Sequence, residues 1–216
     1  DEQHTIFCVQ IKNYTRDGQY QNDGFSGRLF RNHPELRFEG KVHEEVGRHL
    51  GTDYRLDIVF DHYGADPEVM REKGKDERNL SLLKLKLEAD PEDLLTWFYL
   101  ASQHWVAGRR EDAMSAFERV TQLYEQDPSR YSVSVVHIPI AYSYVGLIRT
   151  QILSGHLETA AMTGDKACQI IEGNPDLLFQ SGLAYFYVGR LDASIEALRA
   201  CLKTSVSGFG RIGMHD

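Results

Sequence analysis

The chain has 216 residues, 42% apolar and 26% charged, enough to bury a sizeable core in one or two domains. Its net charge of −8 runs against a general nucleic-acid binder, which presents a basic face to phosphates. No apolar run reaches the roughly 18 residues a bilayer demands, no leader-like segment opens the chain, and Cys8, Cys168 and Cys201 lack CxxC spacing, so a cytoplasmic protein with reduced, buried thiols is expected.

The chain opens at Asp1 with a strand-like run, His4-Thr5-Ile6-Phe7-Cys8-Val9-Gln10-Ile11, and so reads as truncated at its start. Residues 13–25, with Asp17-Gly18 and Asp23-Gly24, are rich in turn formers and predict a hairpin connection or loop. Extended segments are expected at Arg28-Leu29-Phe30-Arg31, Leu36-Arg37-Phe38 and Tyr54-Arg55-Leu56-Asp57-Ile58-Val59-Phe60, which are aromatic, branched and bounded by Gly, Pro and Asn. Two strand ends carry a titratable pair, one around His43-Glu44 and one at Asp61-His62. His43-Glu44 does not open an HExxH zinc site, because position 47 is Gly. Neither an Asp-x-Asp motif nor a P-loop is present.

Asp66-Pro67 offers a helix start, and the apolar period then changes from two to about 3.6. Leu80, Leu83 and Leu87, with Leu82 and Leu85 widening their face, predict an amphipathic helix over 76–89 that ends at Asp90-Pro91, where the next helix is expected to begin. Helical hairpins follow. Trp97, Leu100 and Ala101 precede Gly108, with Ala113 and Phe117 after it; Leu178, Ser181, Gly182 and Tyr185 precede Gly189, with Ala193 and Leu198 after it. A middle unit of Tyr144, Leu147, Gln151, Gly155, Ala160 and Ala167 fits the same template less closely. These are tetratricopeptide positions, with small residues at close helix crossings, bulky ones in the gaps and Gly in the turn. Gly155 and Gly189 are 34 residues apart, the expected period, whereas Gly108 and Gly155 are 47 apart. An insertion of about 13 residues near 127–139 therefore lengthens one helix or adds a loop. Asp127-Pro128 and Asn174-Pro175 punctuate the units, and the tail beyond Lys203 loses periodicity.

The ordered series Arg28-Leu29-Phe30-Arg31-Asn32, Phe38-Glu39-Gly40-Lys41-Val42-His43-Glu44-Glu45-Val46 and Asp61-His62-Tyr63-Gly64, followed by a helix near Glu77 and the repeats, resembles one protein family. It is similar to the end of the catalytic domain in bacterial family-two glycosyltransferases of GT-A type that carry C-terminal tetratricopeptide repeats. The resemblance covers most of the chain. It implies an α+β fold, with a β-rich remnant of a GT-A catalytic domain over 1–66, a tetratricopeptide-like helical solenoid over 67–203 and a flexible tail over 204–216. It also implies that the nucleotide-binding half with its Asp-x-Asp lies outside this stretch. The whole enzyme would transfer a sugar from a nucleotide-sugar donor to a nucleophilic acceptor, with a divalent metal, Mn or Mg, offsetting the diphosphate charge.

By the same resemblance, Glu44 falls where the family keeps its catalytic base, with His43 beside it, and His62 falls where a His contacts metal or diphosphate. Arg28, Arg31 and Tyr63 become candidates for substrate binding. Each has a plainer reading: a solvated Glu at a strand end, a hydrogen-bonded structural His, arginines facing water. The aromatic residues of the repeats are mainly packing. Tyr99, Gln103, Gln151 and Tyr187 are the candidates for holding a peptide or partner on a concave face. The competing reading is a non-catalytic tetratricopeptide scaffold for protein–protein interaction whose β-rich start is a docking or capping unit.

Overall fold

The computed structural model describes residues 6–34, 36–39, 45–46, 53–63, 74–131 and 133–204. Among the described residues, strands precede seven α-helices, an α+β arrangement that divides into two compact units, the division falling between Leu82 and Leu83, inside the first of these helices.

The strands are β1 (Ile6–Tyr14), β2 (Tyr20–Phe30), β3 (Phe38–Glu39), β4 (Glu45–Val46) and β5 (Asp53–His62). β1 is the middle strand of a sheet ordered β2-β1-β5, antiparallel to β2 and parallel to β5. The connection from β1 to β2 is shorter than the turn formers suggest. Gly18 takes a φ of 85°, and the Thr15 hydroxyl accepts from the Gln19 N–H at 3.0 Å. Asp23-Gly24, expected in a turn, lies inside β2, where Gly24 pairs with Ile11 and the Asp23 carboxylate accepts from Gln10 Nε2 at 2.6 Å. A ladder running the length of β1 outweighs the local preference of two turn residues. At the start of β1, Ile6 is buried with Leu36 and Val46, and Phe30 packs against them.

The helices are α1 (Lys75–Ala89), α2 (Leu94–Val106), α3 (Arg110–Gln126), α4 (Val133–Leu153), α5 (Leu157–Ile170), α6 (Pro175–Tyr187) and α7 (Leu191–Lys203). In α1 the expected stripe of Leu80, Leu83 and Leu87 is buried, but Leu85 is 49% exposed and lies off it. Asp90-Pro91 does not begin α2. It forms a turn in which Asp90 accepts from the Glu92 N–H at 3.1 Å, and Asp93 caps the helix instead, accepting from the Thr96 N–H at 3.0 Å and its hydroxyl at 2.7 Å. Asn174-Pro175 caps α6 as its sequence suggests, accepting from the Leu177 N–H at 2.9 Å.

The last six helices form three pairs, and each pair turns on the same device. Gly108, Gly155 and Gly189 have φ of 72°, 78° and 76°, a region costly for a side chain. The residue after each glycine donates its N–H to the carbonyl five residues back: Arg109 to His104 at 2.9 Å, His156 to Gln151 at 2.8 Å, Arg190 to Tyr185 at 2.9 Å. This closure satisfies the last carbonyls of the first helix and aims the second back along it. Successive helices pack on one another, and α4 packs also on α2 and α6, so the first helices of the pairs form a layer. The insertion is mostly a lengthened helix: α4 has 21 residues where α6 has 13, and α3 has 17 where α5 has 14.

Around each turn the side chains repeat. Ala113, Ala160 and Ser194, five residues after the glycines, are all buried. Seven before and nine after the glycine, however, the sizes change places. The first and third pairs carry a small residue and then a bulky one, Ala101 with Phe117 and Gly182 with Leu198; the middle pair carries Ile148 and Gly164. A Cβ on Gly182 would lie 2.8 Å from Leu198 Cγ, and one on Gly164 would lie 3.0 Å from Ser181 Oγ. The pairs are also stapled. Glu125 of α3 accepts from the buried Tyr144 hydroxyl of α4 and pairs with Lys166 of α5. Asp165 of α5 receives both terminal nitrogens of Arg190 at 2.7 and 2.8 Å, which hold its carboxyl below the usual carboxylate range.

Candidate functional site

Register decides which of the candidate residues in the sheet meet. His62 and Tyr63 sit at the end of β5, beside the end of β1. The His62 imidazole Nδ1 lies 2.8 Å from Asn13 Oδ1, and Asn13 in turn donates its amide to Asn22 Oδ1 at 2.6 Å, so a polar row crosses all three strands. Because the Asn13 oxygen accepts, the row favours a hydrogen on Nδ1 and leaves the Nε2 lone pair of neutral His62 directed away from Asn13. Tyr63 is half exposed and its ring lies nearly parallel to that of Tyr14, with 5.7 Å between centroids.

Arg28 and Arg31 are exposed at the other end of the sheet. β2 runs against β1, so Leu29 pairs with Phe7 and Gly27 with Cys8, and Arg28 is the unpaired bulge residue between them. About six residues of strand, roughly 20 Å, separate these arginines from His62 and Tyr63. The structure therefore does not bring the four together. His43 and Glu44 lie outside the described residues, as does the helix start expected at Asp66-Pro67. Among the described residues no group of three His, Cys, Asp or Glu side chains could hold a metal ion. His62 offers a single imidazole, so the described residues alone do not make a divalent-cation site.

In the helical unit, Tyr99 and Gln103 on α2 are half-buried, Tyr99 beside the Phe98 ring, and Tyr187 on α6 is exposed. Gln151 is a correction: at 3% exposure it is closed to a peptide, and its Oε1 has no hydrogen-bond partner. It stands four residues before its turn glycine, and the equivalent His104 and Tyr185 are buried too. An exposed position with a large apolar residue recurs two residues before the glycine, where Val106, Leu153 and Tyr187 stand in the three pairs. The sequence carries that column, but it is legible only once the pairs are aligned on their turns.

His104 gives the first testable consequence. Its Nδ1 has no hydrogen-bond partner, and the nearest acid, Asp112, is 3.7 Å away. Burial holds the imidazole pKa below its ordinary value; Asp112 opposes this, while Arg109 and Lys84 add to it. The unfolded chain takes up the proton first as pH falls, so stability is whole above about pH 6.5 and is lost as pH drops toward the depressed folded value. Replacing His104 with Gln, the residue at the equivalent position 151, should flatten this dependence. Urea melts of both proteins at about pH 7.5 and pH 5 check it, and equal losses in the two would refute it.

No family model matches the chain. It is 27% identical over 128 residues to the glycosyltransferase SunS of Bacillus phage SPbeta and to the SPbeta prophage-derived glycosyltransferase SunS of Bacillus subtilis (strain 168). The match takes in 56% of this chain and 29% of either relative, so the chain spans less than a third of their length. Among solved structures, MamA from Desulfovibrio magneticus RS-1 superimposes with a TM-score of 0.49 at 15% identity, covering 64% of this chain and 71% of MamA. PcrH from Pseudomonas aeruginosa superimposes with a TM-score of 0.43 at 17% identity, covering 53% of this chain and 77% of PcrH. Among the described residues no helix is long and apolar enough to cross a membrane.

Proposed function

We propose that this chain is part of a cytoplasmic glycosyltransferase of GT-A type that moves a sugar from a nucleotide-sugar donor to a nucleophilic acceptor. The β unit belongs to the catalytic domain, and the helical pairs hold the acceptor or a partner. The observation that carries the reading is the 128-residue likeness to the SunS glycosyltransferases. In this reading Glu44, with His43 beside it, takes the acceptor's proton as the acceptor attacks the anomeric carbon. Arg28 and Arg31 serve one end of the sheet and Tyr63 the other. His62, oriented by Asn13, presents Nε2 toward the donor side; a Mn or Mg ion, completed by ligands from elsewhere in the enzyme, would offset the charge of the diphosphate.

The test compares this chain with the longest reading frame that contains it. The longer protein should release nucleotide from one donor of a nucleotide-sugar panel in an acceptor-dependent way. The chain alone should neither turn over nor bind a donor tightly by calorimetry. If no donor is consumed by the longer protein, the reading fails; micromolar donor binding by the chain alone would move the donor site into these residues.

A second reading, a non-catalytic repeat scaffold, is favoured by one observation, the exposed column of Val106, Leu153 and Tyr187. The same donor assay separates the two.

A further inference from the structure

One side of the sheet is built unlike the other. Gln10, Lys12 and Tyr14 share a side of β1, and the register sets Val59 and Asp61 of β5 and Phe25, Asp23 and Tyr20 of β2 beside them. Tyr63 extends the last row: Tyr14 lies nearly parallel to it, at 28°, and edge-on to Tyr20, with centroids 5.9 Å apart. Tyr20 and Tyr63 are 54% and 50% exposed. The adjoining row is Asp61, Lys12 and Asp23, the last held by Gln10, and Arg55 lies 4.4 Å over the Phe25 ring. The opposite side carries Phe7, Val9 and Ile11 beside Tyr54, Phe60 and Leu29, and ends in the polar row of His62, Asn13 and Asn22. Ile6 and Cys8 are buried at the start of this side, but a core continued past them over Gln10, Lys12 and Tyr14 would strand two carboxylates and two cations away from water.

We propose that this first side, around Tyr14, Tyr63 and Asp61, is a binding surface for a neutral saccharide. The C–H face of a pyranose packs flat on an aromatic ring, and its hydroxyls each donate and accept, so they can satisfy carboxylates and cations at once. An anion would satisfy only Lys12 and Arg55 and would meet Asp61 and Asp23 with like charge. Tyr14 stacks on one face of Tyr63, which leaves the other face of this half-exposed ring, at the outer strand of the described sheet, for one pyranose. Binding here needs no donor nucleotide and no turnover, so the surface goes beyond the transferase reading and does not depend on it.

Saturation-transfer NMR on the 216-residue chain with millimolar cellobiose, maltose and diacetylchitobiose tests it. At least one disaccharide should receive saturation on its ring C–H protons. Tyr63→Ala should weaken that binding about five- to tenfold, Asp61→Asn should also weaken it, and Tyr63→Phe should retain it. Uridine diphosphate should not displace the sugar. The proposal is overturned if none of the three sugars receives saturation, if binding survives unchanged in both Tyr63→Ala and Asp61→Asn, or if uridine diphosphate competes. Tyr63→Phe and Asp61→Asn keep the ring or the side-chain shape, so the outcome stays decisive even where Tyr63→Ala loosens the strand end.

Discussion

Glu44→Gln, made in the longer protein to which this chain is proposed to belong, is expected to lower sugar-transfer turnover by roughly 10²–10⁴-fold with donor affinity nearly kept. The amide preserves shape and hydrogen bonding but cannot accept the acceptor's proton as the new glycosidic bond forms. His62→Ala should differ in kind, weakening donor binding more than it slows turnover, because the proposed role of the imidazole is to contact the donor rather than the acceptor's proton. Steady-state kinetics with donor and acceptor varied separately tell the two patterns apart. Wild-type turnover in Glu44→Gln would remove Glu44 from the role of base, and Glu45→Gln is the neighbouring control.

The largest effect on stability should come from Phe117→Ala, at about 3–5 kcal/mol. Phe117 is 1% exposed, and its ring fills the notch left by Gly146 on α4: a Cβ there would lie 2.6 Å from both Cε2 and Cζ. Truncation leaves a cavity at a crossing of two long helices, where neither backbone can close it fully. The converse change, Gly146→Ala, overfills the same notch and should cost about 1–3 kcal/mol. Because the two residues share one space, pairing Gly146→Ala with Phe117→Leu should cost less than the sum of the single changes. Denaturant melts measure all of these, and a loss below about 1 kcal/mol for Phe117→Ala, or strict additivity of the pair, would show that the ring is not seated there.

The helical half was legible because its signals are local. A 3.6 period, a turn glycine and small residues at fixed offsets from it identify three pairs without knowledge of anything distant. What escaped was competition between local signals: Asp90-Pro91 has the composition of a helix start, yet Asp93 with Thr96 offers two hydrogen bonds to the cap and wins. Gln151 stands at the offset of buried His104 and Tyr185, and a polar amide carries no local sign of that burial. The sheet was harder for the opposite reason. Strand propensity located β1 and β5, but strand direction and register are long-range properties. Only they reveal that Arg28 and Arg31 stand far from His62 and Tyr63. Tyr20 meets Tyr14 because one residue, Gln21, is bulged out of the ladder between Asn22 and Tyr20, a shift that no alternation count could anticipate.

The exchanged sizes of the middle pair bear on how this array can be rebuilt. A sequence averaged over the three pairs would choose each position independently, and in the third pair, where Leu198 fills the space beside Gly182, it could set Ile148-like bulk against Leu198. That choice jams the helices apart, although each residue is native to some pair. Grafting between pairs should therefore succeed only when both partners travel together. The heritable unit of this architecture is the matched couple at a helix crossing, within a pair for Gly182 and Leu198 and between pairs for Phe117 and Gly146 or Gly164 and Ser181, and single-site preference profiles compiled from its own repeats would mislead a designer at these positions.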